Sequence, residues 1–378
     1  MKMTRLFTEF FHSEKAGGLV LLITTILSLI LANSAWQIPY LSLWNAEIGH
    51  HSVVHWINDG LMTIFFLLIG LELEREIYRG ELSSIKHAAL PLFGALGGML
   101  VPAGIFLLLN AGTATASGAG IPMATDIAFA IGILSLLGNK VPASLKIFLT
   151  ALAVIDDLGA IIIIAVFYTT SIAFVNLFIA LGIFGGLLVL NRLKVNNLVP
   201  YLVGGVFMWY FMLNSGVHAT ITGVLLAFAI PFGNGSESSV SFRLQHFLHK
   251  PVAFIILPLF AMANTCLPIG TDWQNGLVQY YSIGIIAGLV IGKPVGIFLF
   301  AFLARQAKWC ALPSDLTWKH IFGVGILGGI GFTMSIFVTL LAFDNIAVIN
   351  GAKVAILSAS LIAGIGGYLF LKWSFRAR

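Results

Sequence analysis

Twelve apolar stretches of about 20 residues, a charged fraction of only 9% and a one-sided distribution of lysines and arginines predict an all-α integral membrane protein with twelve transmembrane helices. A soluble domain carries about 25% charged residues, whereas this chain is 59% hydrophobic over 378 residues. No charge-rich or low-complexity segment is long enough for a separate soluble domain, so residues 1–378 read as one transmembrane domain. The net charge of +5 is explained by topology and gives no reason to expect a nucleic-acid partner.

The predicted spans are 16–33, 55–74, 88–110, 119–137, 144–168, 172–191, 198–213, 216–231, 244–264, 280–303, 320–342 and 350–372, numbered one to twelve. The first follows Lys2, Arg5 and Lys15, as a signal peptide would. It is long enough to cross, and many spans follow it, so it reads as a span. Arg75, Arg79 and Lys86 follow span two, and Lys140 and Lys146 follow span four. Arg192 and Lys194 follow span six, and Arg243 and Lys250 follow span eight. Arg305, Lys308 and Lys319 follow span ten, and Lys372, Arg376 and Arg378 close the chain. Of the 20 basic residues, just Lys293 and Lys353 fall outside this pattern. The positive-inside rule therefore puts both termini in the cytoplasm. Cys266 and Cys310 fall on opposite sides, which predicts no disulfide between them.

Two spans are irregular. Span four reads GAGIPMATDIAFAIGIL, with Pro122, Thr125 and Asp126 interrupting the apolar pattern. Span eleven reads FGVGILGGIGFTMSIF, with Gly328, Gly329 and Gly331 at its centre. Proline removes a backbone donor and glycine loosens a helix. A backbone break at membrane depth survives only inside protein or beside water. One interrupted segment in each half points to inverted repeats with a site between them. Close helix packing through small residues is the alternative, stronger for span eleven than for span four.

Four ionisable groups lie well inside spans: Asp126, Asp156, Asp157 and Lys293. One carboxylate near a bilayer midplane costs ~3 kcal/mol or more, and the four together on the order of 10 kcal/mol. Neighbouring helical residues point about 100° apart, so Asp156 and Asp157 cannot chelate one ion symmetrically. One of the two is expected to face an ion pathway and the other a partner such as Lys293, in VIGKPVG. Groups balanced between burial and an opposite charge can titrate near neutral pH, and coupled carboxylates titrate as a pair. A hard monovalent cation prefers carboxylate, hydroxyl and carbonyl oxygens. Asp126, Asp157, the Thr125 hydroxyl and carbonyls freed at the break supply them. Protons and such a cation would compete for the same oxygens, which couples their movements. A structural ion-pair network is one alternative. A second is that Asp126 and Lys293 neutralise the dipole ends of crossed broken helices.

The strings GLELEREIYRGEL, IPMATDIAFAIGILSLLG, KIFLTALAVIDDLGAIIIIAVFYT, SGVHATITGVLLAF, LPLFAMAN, GIIAGLVIGKPVGI and GILGGIGFTMSIF resemble the NhaA sodium/proton antiporters along nearly the whole chain. That family is a standing example of inverted-repeat transporters, so this architecture is what the resemblance implies. Spans three to five and ten to twelve would form the repeats and the core bundle, with spans four and eleven as the crossed broken helices. The remaining spans would form an interface bundle. Asp157, Asp126 and Thr125 would hold Na+ or Li+, and Lys293 would answer Asp156 and the carbonyl ends.

The resemblance further implies export of sodium in exchange for protons in a bacterial inner membrane, with no cofactor and no enzymatic reaction. Glu72, Glu76, His246, His249 and His218 would take part in pH sensing. Glu72 and Glu76 are one helical turn apart, and His246 and His249, three apart, are expected to share a face. Familiar members carry a glutamate at the position of Gln245 and a basic residue at that of Glu74, so the pH set-point does not carry over. The external hairpin at 41–56 matches the segment through which two protomers pair. Its His50, His51 and His55 fit a solvated loop better than a metal site.

Alternating access follows as the expected mechanism. Two protons exchanged per sodium would make it electrogenic. The main alternative is a sodium-coupled organic-anion symporter of similar crossed-helix fold, with a larger substrate pocket. A gated channel and a non-transporting membrane sensor are the others.

Overall fold

The computed structural model describes residues 5–169, 172–270 and 273–376. Lys2 and Arg378, both part of the charge pattern, lie outside them. The chain is 77% helical. Among the described residues, eight helices are long and apolar enough to cross a membrane. They are Val53–Tyr78, Ala88–Asn110, Ala116–Ser135, Ala143–Phe167, Phe174–Arg192, Val240–Asn264, Tyr280–Gln306 and Ile346–Ser374. Two bent pairs raise the number to ten if each is one span. These are Ala16–Ala32 with Gln37–Asn45, bent by 115°, and Trp318–Gly328 with Phe332–Ala342, bent by 47°. Each of the twelve predicted segments coincides with helix. Spans seven and eight, however, are short: Val199–Leu213 has 15 residues and Ile221–Ala229 only 9. At a rise of about 1.5 Å per residue, nine residues fall well short of a bilayer's apolar thickness.

One small departure from all-α structure lies in the segment at 41–56. Glu47–Ile48 pairs antiparallel with His51–Ser52. Gly49, at φ +70°, opens the two-residue turn, where a side chain would be strained.

Spans three and ten pack tightly against each other, and glycine makes this possible. A Cβ on Gly97 would come within 2.7 Å of the Gly296 carbonyl carbon, and one on Gly292 within 2.9 Å of Pro102 Cα. Small residues let membrane helices approach this closely. The Tyr280–Gln306 helix widens into a π-type turn over Gly288–Gly292. The widening sits where Pro294 cannot donate to the carbonyl four residues back. It delivers Lys293 to the bundle interior, fully buried. Both cysteines are free.

Candidate functional site

Span four is broken by sequence. Tight helical turns over Ala116–Met123 run into an extended Ala124 (φ −78°, ψ 151°), and helix resumes at Ile127. Asp126 is the cap of that second piece, its Oδ1 accepting from Phe129 N at 3.0 Å. Span eleven breaks at Gly329–Gly331, between Trp318–Gly328 and Phe332–Ala342. Gly329 has no room for a side chain, since a Cβ there would collide with the Leu289 carbonyl oxygen of span ten.

The two breaks meet. Asp126 N donates to Ile330 O at 2.7 Å, and Ser335 Oγ donates to Ile121 O at 2.7 Å. Asp126 Oδ2 accepts from Thr333 N at 3.0 Å and from the Thr333 hydroxyl at 2.5 Å. One carboxylate thus caps the N-terminal ends of both resumed helices, where the dipoles are positive. This is the geometry that the dipole-neutralising alternative for Asp126 requires.

Span five, Ala143–Phe167, brings Asp156 and Asp157 to this crossing. Asp156 Oδ2 accepts from Lys293 Nζ in a fully buried ion pair. The Thr125 hydroxyl donates to the same Oδ2 at 2.8 Å, with the Gly328 carbonyl an alternative acceptor at 2.9 Å. Thr125 therefore sits on Asp156, away from the Asp157 set in which sequence placed it. Asp157 is 1% exposed, and neither of its oxygens has a hydrogen-bond partner. Asp156 Oδ1 is also buried without one. Asp157 feels the like charges of Asp156 and Asp126 and the opposite charge of Lys293. Three buried carboxyls face one buried ammonium, so the cluster is short of positive charge. A proton or a small cation on Asp157 would relieve that shortage.

Thr333 carries no signal in the sequence beyond being a hydroxyl next to a glycine break. Two further ionisable side chains are buried in the protein. Glu74, 4% exposed, has one orphaned oxygen, and Lys353 is 8% exposed. Both lie near span ends, where a hydropathy window hides a single charge.

The five groups expected to sense pH are not one cluster. His249 Nε2 lies 3.3 Å from Glu72 Oε1. Glu76 turns away, its Oε2 accepting from Glu81 N at 2.9 Å, and Arg75 interacts with both Glu72 and Glu76. His246 and His249 differ in burial but remain close enough to act on each other electrostatically. His246 is exposed beside Phe242, while His249 points inward. Residues three apart differ by about 60° around a helix, enough to straddle the edge of a buried stripe. His218, far from both, has Nε2 3.0 Å from the Tyr168 carbonyl. Among the described residues, no group of three or more His, Cys, Asp or Glu is arranged to hold a metal.

Apolar helices carrying two broken segments that meet beside buried carboxylates and a buried lysine define a polytopic, ion-coupled membrane transporter. The family model described as Na+/H+ antiporter 1 matches residues 8–371. The chain is 69% identical over 373 residues to the Na(+)/H(+) antiporter NhaA of Flavobacterium psychrophilum, covering 99% of this chain and 97% of that one. It is 61% identical over 376 residues to the Na(+)/H(+) antiporter NhaA of Cytophaga hutchinsonii, covering 100% and 97%. Its fold is similar to that of the sodium proton antiporter MjNhaP1 from Methanocaldococcus jannaschii, with a TM-score of 0.55 at 17% identity and 97% coverage of each chain. The chain belongs to the Na+/H+ antiporter 1 family.

Proposed function

We propose that the protein exports Na+, and Li+, in exchange for H+ across a bacterial inner membrane, by alternating access and without a cofactor. One observation carries this: Asp157 is buried with both oxygens unpartnered, beside an Asp156–Lys293 pair and an Asp126 that are already engaged. A carboxylate so placed needs a proton or a cation, and both compete for the same two oxygens. Asp126 can join the ion site through a lone pair that its three hydrogen bonds leave free, and Thr125 through its hydroxyl oxygen while it still donates to Asp156.

The same reading takes both termini as cytoplasmic and all twelve segments as spans. Spans three to five and ten to twelve form the core bundle, and the 41–56 hairpin joins two protomers. Glu72 and His249 are the pair best placed to make exchange pH-dependent, since they alone of the five candidates are within 3.3 Å of each other. Two protons per Na+ would carry net positive charge inward on each cycle.

The test uses everted membrane vesicles with an acid interior, a ΔpH-reporting dye, and Na+ added outside. Wild type is expected to collapse the gradient, and Asp157→Asn is not. A collapse that survives in Asp157→Asn removes Asp157 from the site. No collapse in wild type between about pH 6 and 9 removes the exchange function itself.

A further inference from the structure

At the end of the bundle that the proposed topology turns outward, the chain enters span two through a π-type turn over Trp56–Leu61. His55 leads into this turn and Asp59 lies within it. His55 Nδ1 is 3.1 Å from Asp59 Oδ2. An ionised carboxylate can only accept, so it fixes the imidazole proton on Nδ1 and leaves a lone pair on Nε2. That Nε2 is buried and has no partner. The His51 ring stacks on His55 with centroids 4.1 Å apart and planes at 22°. Trp56 packs edge-on to His51, and its indole N–H donates to Ile48 O at 3.0 Å, which ties the hairpin over the turn.

The other charged group facing Asp59 comes from the segment before Ile221–Ala229. It is His218, which interacts with Asp59 and also bonds the Tyr168 carbonyl. Tyr168 immediately follows the helix that bears Asp157. Among the described residues, the titratable groups that act on Asp59 are His55, His218 and His51. Both side chains of the pair are partly exposed, although Nε2 itself is covered, so a proton reaches it only when the His55 ring or the hairpin over it shifts.

We infer that the Asp59–His55 pair is a proton-accepting site at the external mouth, loaded from outside ahead of the exchange at Asp157. The proton adds to His55 Nε2, and the Asp59 carboxylate balances the imidazolium that forms. The stacked His51 ring disfavours a second positive charge, so the site takes one proton. This rests on the proposed function and topology.

The experiment uses everted vesicles, whose lumen is the external face, with lumenal and outer pH set independently. His55→Gln keeps an amide donor toward Asp59 but cannot take a proton. Its Na+-driven exchange should match wild type at a lumenal pH of about 6, where protons are plentiful, and fall about tenfold at about 8.5, where a loading group matters. Asp59→Asn, which breaks the pair from the other side, should give the same alkaline loss. A His55→Gln profile parallel to wild type at every lumenal pH overturns the inference and leaves the transport function standing. A loss that follows outer pH instead overturns the sidedness. Absence of exchange in wild type removes both.

Discussion

Where the two breaks cross, Asp126 is 2% exposed and accepts three hydrogen bonds, from Phe129 N, Thr333 N and the Thr333 hydroxyl. In the middle of the Ala143–Phe167 helix, Asp157 is 1% exposed and accepts none. Burial is the same and the wiring is opposite. A buried carboxylate with its lone pairs satisfied is a structural joint, because removing it strands its donors. A buried carboxylate with none satisfied costs the fold its desolvation with no hydrogen bond in return, which is the arrangement the proposed ion site calls for. The Asp156–Lys293 pair lies between these limits: it is paired, but with one oxygen left over.

The comparison is broken most directly by neutralising each acid. Asp157→Asn should reduce Na+-driven gradient collapse to the level of vesicles lacking the protein, while its melting temperature in detergent stays equal to or above wild type. Asp126→Asn should lower the melting temperature, since an amide turns one acceptor into a donor against the Thr333 and Phe129 donors. If Asp157→Asn melts lower than Asp126→Asn, the division between joint and binder is wrong.

Lys293→Ala comes next. It leaves Asp156 buried and unpaired, a change that costs about 3–5 kcal/mol, measurable as loss of thermal stability. Adding Asp156→Asn should recover most of that loss if the ion pair is the cause. Thr333→Val is smaller. It removes one hydrogen bond to a carboxylate, worth about 1.5–3 kcal/mol, and should soften the joint while transport continues. His246→Ala is the smallest. It is exposed, and such changes stay within about 0.5 kcal/mol, so stability should be unchanged, while the pH profile of exchange should move slightly because His246 acts on His249. An unmoved profile would remove His246 from the pH-sensing set.

The sites of the breaks are legible because Pro122 and the glycines around 328–331 act locally. The divergence of Asp156 from Asp157 is legible because 100° per residue is fixed geometry. Partners distant in the chain are not. Thr333 lies 207 residues from Asp126, and nothing local marks the approach. Thr125 adjoins Asp126 in sequence, yet its hydroxyl goes to Asp156, because the extended backbone at the break turns it to the far side. The pairing of His249 with Glu72, and the exposure of His246 beside it, depend on where the stripe edge of one helix falls. Asp59 escapes notice because a π-type turn near a span end looks like any other helix start.

The Lys293–Asp156 bond joins residues 137 apart in the chain. Ribosomes add about 5–20 residues per second, so the lysine is synthesised on the order of ten seconds after the aspartates. During that interval span five is already made, with two acids in its middle and no cation to meet them. The newborn half-protein must therefore wait, its helix held loosely at the insertion machinery or its acids neutral. A chain stopped before residue 293 has no means of completing the centre, which makes it a natural substrate for membrane proteases.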